Sequence, residues 1–108
     1  MRAVLLSELG PPGVLEPVDA PDPEPGPGQL LIDVAFANIT FVETQFRARG
    51  FGPHDATLPL IPGNGVGGTV TSAGPGADPA WVGKRVVSST GGSGAYAERV
   101  AVDAGAPF

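Results

Sequence analysis

The segment Gly63-Asn64-Gly65-Val66-Gly67-Gly68 satisfies the spacing G-x-G-x-x-G, the loop that lets backbone N–H groups approach a pyrophosphate. Such a loop works between a buried strand and a helix, because the helix N-terminus supplies free N–H groups and the positive end of a dipole. Here Pro59 and Pro62 interrupt what precedes, and Thr69-Val70-Thr71 continues as a β-branched run. The glycines therefore read as a tight backbone approach, or a bulge where a strand enters a sheet, and not as a dinucleotide loop. A second cluster, residues 91–94, lacks the lysine and Ser/Thr that would follow in a phosphate loop and reads as a turn.

Other chemistries meet a shortage of side chains. A hydrolytic triad needs a base, and His54, the single histidine, lies in a Pro- and Gly-rich stretch that reads as an exposed loop. Tyr96 and Lys84 lack the close helical spacing of a phenol/ammonium pair, so they read as a strand aromatic and a surface charge. A catalytic zinc takes three side-chain ligands from Cys, His, Asp and Glu, and a chain with no Cys and 1 His is a poor host. Asp19, Asp22 and Glu24 cluster in a proline-rich segment and read as a solvated face.

The elements that would position any site are mostly strands. A chain of 108 residues supports one domain, and its 42% apolar residues argue against wholesale disorder despite 17 Gly and 13 Pro. A net charge of −5 with 6 Lys and Arg speaks against nucleic acid and anionic membrane surfaces as partners. The apolar run near the N-terminus, residues 3–6, is too short for a signal peptide or a membrane span, so a cytoplasmic location is expected.

Residues 2–6 and 14–18 read as a β-hairpin around Gly10-Pro11-Pro12-Gly13, followed by an extended, proline-rich connection over residues 19–28. Residues 29–37 form a nearly uninterrupted apolar run, which predicts a strand covered on both faces for much of its length. Thr40 and Glu43 make a capping-box pattern for a short helix ending by Gly50. A loop over residues 50–62 leads to strands at residues 67–73, 82–87 and 95–102. Many strands, one short helix and no βαβ alternation predict a mainly β fold, a partly open β-barrel with one or two short helices.

Taken in order, Gly28-Gln29-Leu30-Leu31-Ile32-Asp33-Val34, Thr40-Phe41-Val42-Glu43-Thr44, Pro62-Gly63-Asn64-Gly65-Val66-Gly67-Gly68, Gly83-Lys84-Arg85-Val86 and Gly94-Ala95-Tyr96-Ala97-Glu98 resemble the GroES-like domain of medium-chain dehydrogenases/reductases. The resemblance covers nearly the whole chain. In zinc-dependent members a Cys and a His-Glu pair stand where this chain has Thr40, Asn64 and Gly65, none of them a ligand, and the four-cysteine structural zinc loop has no counterpart. The likeness is therefore to the zinc-independent, quinone oxidoreductase-like branch, which commonly has Asn where Thr40 stands.

The resemblance implies a GroES-like substrate-side domain over residues 1–108, without the family's Rossmann dinucleotide-binding domain. It further implies an alcohol dehydrogenase-like enzyme that moves hydride from NADPH to a quinone or an electron-poor alkene or carbonyl. The reaction cleft would lie between this domain and a Rossmann domain supplied in cis or in trans, and the isolated chain would be inactive. Thr40, Glu43, Phe46 and Asn64 are the matched cleft positions, beside the plainer roles of helix capping for Thr40 and Glu43, core packing for Phe46 and a turn for Asn64. The implied partners are that cofactor domain and a small-molecule acceptor, and a homodimer is compatible. A non-catalytic GroES-like binding or assembly module is the alternative.

Overall fold

A computed structural model describes residues 1–38, 47, 58–91 and 93–107. Six strands are seen among them: β1 (Arg2–Leu6), β2 (Leu15–Asp19), β3 (Gln29–Ala37), β4 (Gly65–Ala73), β5 (Arg85–Ser89) and β6 (Arg99–Asp103). β1 and β2 form an antiparallel pair, and the other four form an antiparallel sheet in the order β5-β4-β3-β6. The fold is mainly β, with two sheets that do not close into a full barrel, consistent with the expected partly open barrel. The helical turns seen among the described strands are short 3₁₀ pieces, Pro12–Val14 and Pro79–Trp81.

Leu30, Ile32, Val66, Val70, Val86, Val100 and Val102 point inward from β3 to β6 and make one core. Each such side chain removed from water contributes about 1.5–3 kcal/mol, so the sheet's inner face carries most of the driving force. The hairpin adds Leu6 and Ala3, both buried. It is tied to the rest by paired backbone groups: Leu6 N–H donates to Leu60 O (2.8 Å) and Val4 N–H to Tyr96 O (2.8 Å). Register shifts between Leu31 and Ile32 and between Val34 and Phe36 are bulges, which bend β3 and β4 and let the sheet curl.

Several expectations need correction. β3 is not covered on both faces: Leu30 and Ile32 are buried, but Asp33, Ala35 and Phe36 on the same strand are exposed. An apolar run cannot by itself distinguish a two-sided strand from a one-sided strand whose outer residues remain in water, as Phe36 does over Gly67.

The strand expected at residues 82–87 begins later, at Arg85. Residues 82–84 instead lead out of the 3₁₀ turn Pro79–Trp81, which Asp78 caps by accepting a hydrogen bond from Ala80 N–H (2.9 Å). Lys84 N–H is then used on Trp81 O (3.0 Å).

The strand expected at residues 95–102 likewise starts at Arg99. Residues 95–98 spend their backbone donors elsewhere: Ala95 N–H on Gly63 O, Tyr96 N–H on Pro62 O and Glu98 N–H on Arg2 O. That stretch joins the hairpin, the glycine segment and the sheet, and pairs as a strand only at the isolated antiparallel bridge between Ala97 and Ala3.

The extended connection after β2 and the span of β3 agree with the sequence reading; the hairpin is present with its second strand shifted by one residue, because Val14 belongs to a 3₁₀ turn, and β4 starts two residues before the expected Gly67. The expected helix near Thr40 and the loop bearing His54 lie outside the described residues. Arg47, which is helical, is the exception: it donates from Nη1 to Gly10 O (2.6 Å) and accepts at its own carbonyl from Gly10 N–H (2.8 Å).

Candidate functional site

Where β3 ends and β4 begins, the chain makes a polar rim. Asn38 N–H donates to Gly65 O (2.8 Å), which brings the residue after β3 beside the glycine segment. On the other side of β4 the end of β5 and its following turn close in. Thr90 N–H donates to Asn64 O (2.9 Å), Thr90 Oγ1 to Gly63 O (3.1 Å), and Ser89 Oγ to Asn64 Oδ1 (3.1 Å). Gly91 N–H in turn donates to Ser89 Oγ (3.2 Å).

Residues 63–68 are thus a loop-to-strand transition paired on both sides, with Gly65 to Gly68 already within β4. No helix follows, so the segment has no free N–H cluster for a pyrophosphate, and the described residues do not fit that part of a dinucleotide. The tight-approach reading is the one observed. Gly63 has φ +97°, and a Cβ there would lie 2.7 Å from both Ala95 Cβ and the Tyr96 ring. Tyr96 is accordingly not a strand aromatic but a loop residue whose ring packs on a glycine.

Asn64, the one described residue of the four expected at the cleft, is exposed at this rim with its Oδ1 held by Ser89. Thr40, Glu43 and Phe46 lie outside the described residues, so the structure does not report whether they join it. Asn38 is the last described residue before that segment and sits at the same rim. A Cβ at Gly65 would meet Asn38 Nδ2 at 2.8 Å, so the asparagine amide occupies the place a side chain at 65 would need.

Asn38, Asn64, Ser89 and Thr90 are all neutral, so the described rim offers directional hydrogen bonds and not proton transfer. A metal is a poor fit here: Asn64 offers an amide and Gly65 nothing. Among the described residues no three His, Cys, Asp or Glu side chains gather into a set that could hold an ion. Charge is found elsewhere. Lys84 lies over Trp81, 5.4 Å from the ring centre, and Asp22 pairs with the Met1 ammonium and with Arg99. Asp22 is therefore not merely solvated, although it remains exposed. No helix among the described residues is long and apolar enough to cross a membrane.

Sequence reasoning missed Asn38, Ser89 and Thr90 as parts of this site. Their residue types are common in turns, and only the register of β4 against β5, Gly65 opposite Ser89, brings them to Asn64.

A partly open β domain with a neutral polar rim, six strands of it among the described residues, is the class that this fold and site define. Residues 26–107 match the alcohol dehydrogenase GroES-like domain, and the chain belongs to that family. It is 36% identical over 96 residues to a probable quinone oxidoreductase of Schizosaccharomyces pombe, an alignment that covers 88% of this chain and 28% of that protein. A solved mycobacterial quinone oxidoreductase superposes with a TM-score of 0.85 at 42% identity, over 99% of this chain and 32% of the other. A mycobacterial protein solved in complex with NADPH gives 0.84 at 42% identity, over 99% and 33%. The chain thus spans about a third or less of the length of these relatives.

Proposed function

We propose that this chain is the substrate-side domain of a zinc-independent oxidoreductase that uses NADPH to reduce quinones or electron-poor alkenes or carbonyls. A Rossmann domain joined in cis or supplied in trans completes it. The carrying observation is that the glycine segment is a paired strand opening, which offers no helix N-terminus for a diphosphate. Relatives named quinone oxidoreductases are about three times as long, and one mycobacterial relative was solved with NADPH.

In this reading NADPH supplies the hydride, and the chain supplies shape and hydrogen bonds that orient an acceptor and favour negative charge developing on its oxygen. Asn64 is the described side chain placed for that task, and Thr40, Glu43 and Phe46 complete the proposed cleft. Zinc independence is supported by the amide and the glycine standing at two of the family's ligand positions.

The test is calorimetric titration of the chain with NADPH, followed by a quinone reductase assay with a separately expressed Rossmann domain of a homologous enzyme, run in a chelator. The chain alone is expected to bind near or beyond the millimolar range, about −4 kcal/mol or weaker, and to show no activity. Activity that returns with the added domain and survives the chelator supports the proposal. Micromolar binding by the chain alone overturns the division of labour, and persistent inactivity with added domains favours a non-catalytic binding module.

A further inference from the structure

A strand's backbone groups alternate between its two sides, and at the end of a sheet only one side is paired. On β5 that alternation has two anchors: Lys84 O accepts from Val70 N–H (2.9 Å), and Thr90 N–H donates to Asn64 O (2.9 Å). Both face β4, so Val86 and Ser88 between them face β4 too, while Arg85, Val87 and Ser89 turn their N–H groups outward. None of these three N–H groups has a partner among the described residues. Of the outward carbonyls, that of Ser89 is engaged, by Ser88 Oγ (2.7 Å).

The other end strands are guarded or bridged. β1 is bridged to Ala97 and Leu60. β2 carries Pro17 at its centre, with Glu16 and Asp19 exposed beside it. β6 carries Arg99, ion-paired with Asp22 and Asp33, and the exposed Asp103. Proline and charge are the usual devices that stop an edge from accepting another strand. β5 has no proline, and its central residue is Val87, 51% exposed. Val87 lies opposite Gly67, and Gly67 opposite Phe36, which is 58% exposed, so an apolar row crosses the outer face and stops at this edge. Arg85, the charged residue of β5, is in no ion pair among the described residues.

We propose that β5 is the docking edge for a β-strand of the polypeptide that completes this enzyme, with an apolar side chain beside Val87 and a carboxylate beside Arg85. This rests on the reading that a second part completes the enzyme, and adds that this part brings a strand as well as a cofactor fold. The relatives are about three times as long, so most of their chain lies outside the part matched here. An added strand satisfies the outward N–H groups and continues the apolar row in one step. A second copy of β5, paired antiparallel about Val87, would set Ser89 against Arg85 and leave the cation unmatched.

Hydrogen exchange read by NMR tests this on the full chain, alone and mixed with the two-thirds of the mycobacterial quinone oxidoreductase that the chain does not match, expressed as one polypeptide. The amides of Val86 and Ser88 are expected to be protected throughout. Those of Arg85, Val87 and Ser89 are expected to exchange fast in the chain alone and at least about tenfold more slowly in the mixture. Val87→Pro deletes the central outward N–H and spares the bonds to β4, and should weaken association about tenfold, the loss of roughly one hydrogen bond. Arg85→Glu should weaken it comparably, and Arg85→Lys should not. Protected Val86 and Ser88 amides report that the sheet of each variant is intact.

Outward amides that stay fast in a mixture that associates overturn the inference. So does association that Val87→Pro and Arg85→Glu both leave unchanged, or a mixture that forms no complex. Protection that rises with the concentration of the chain by itself also overturns it, by making a second copy the occupant. Exchange is read without NADPH or acceptor. Protection in a mixture that is inactive in the reductase assay would therefore keep the docking edge and sink the proposed function, and activity with fast outward amides would do the reverse.

Discussion

Among the described residues, two polar networks fasten this domain, and they use different physics. At the rim, Asn64, Ser89, Thr90 and Gly91 are linked by neutral hydrogen bonds. Around the first residue the links are charged: the Met1 ammonium and Arg99 Nη1 each lie 3.1 Å from Asp22 Oδ1, and Arg99 Nε lies 3.5 Å from Asp33. Neutral bonds depend on which partner donates, and salt hardly affects them. Exposed charges attract in any orientation but are screened within roughly 10 Å at 0.1 M salt, and such pairs contribute little to stability. Direction is what a recognition site needs, and the neutral network is the one that lies at the candidate site.

The comparison breaks most severely at Gly63. Gly63→Ala is expected to destabilise by about 3 kcal/mol, combining the cost of a left-handed alanine with overpacking against Ala95 and Tyr96. Gly28→Ala is the control, because φ is +72° there but no heavy atom lies within 4 Å of the added Cβ. Its cost should be about 1 kcal/mol. Urea denaturation of the pair measures the difference, and equal midpoints would show that Gly63 is merely a turn glycine.

A smaller effect sharpens the neutral side. Thr90→Val removes the Oγ1 donor from Gly63 O while keeping the branched shape, and should cost about 1 kcal/mol. That loss should be the same at low and high salt in thermal melts. A strong salt dependence would mean that the rim's stability is not set by this neutral bond.

The smallest effect belongs to the charged side. The Asp22 carboxyl is held below its usual value, first by the hydrogen bond and charge of the N-terminal ammonium, which outweigh an opposing effect of desolvation, with a smaller lowering contribution from Arg99. A depressed folded value means that the contribution is present above the unfolded pKa and is lost as pH falls through the folded one. Asp22→Asn should therefore flatten a slight loss of stability on acidification, and added salt should imitate the substitution. Melts across the acid range check both, and an unchanged acid profile in Asp22→Asn would remove this network from the account.

Legibility in the sequence followed how local the cause was. β3 was readable to its ends because an apolar run bounded by Gly28 and Asn38 is a local signal, and the hairpin was misplaced by one residue because Val14 belongs to the 3₁₀ turn. β5 and β6 start later than their composition suggests, since Asp78 caps a turn and residues 95–98 are claimed by distant carbonyls. Asn64 entered as a candidate through the family resemblance at zinc-ligand positions. Ser89 could not be found that way, because its role exists only once β4 and β5 are in register.

The sheet order β5-β4-β3-β6 also bears on how the chain reaches this state. β3 is bordered on one side by β4 and on the other by the last strand, with Gln29 opposite Asp103 and Asp33 opposite Arg99. As the polypeptide leaves a ribosome, β3, β4 and β5 can assemble while one edge of β3 still has unpaired backbone groups and Leu30 and Ile32 still lack Val100 and Val102. Such high contact order slows folding and leaves a sticky edge exposed during synthesis. Arg99–Asp103 is therefore the seam of this domain, and a ribosome stalled just short of it would display the intermediate most prone to aggregate.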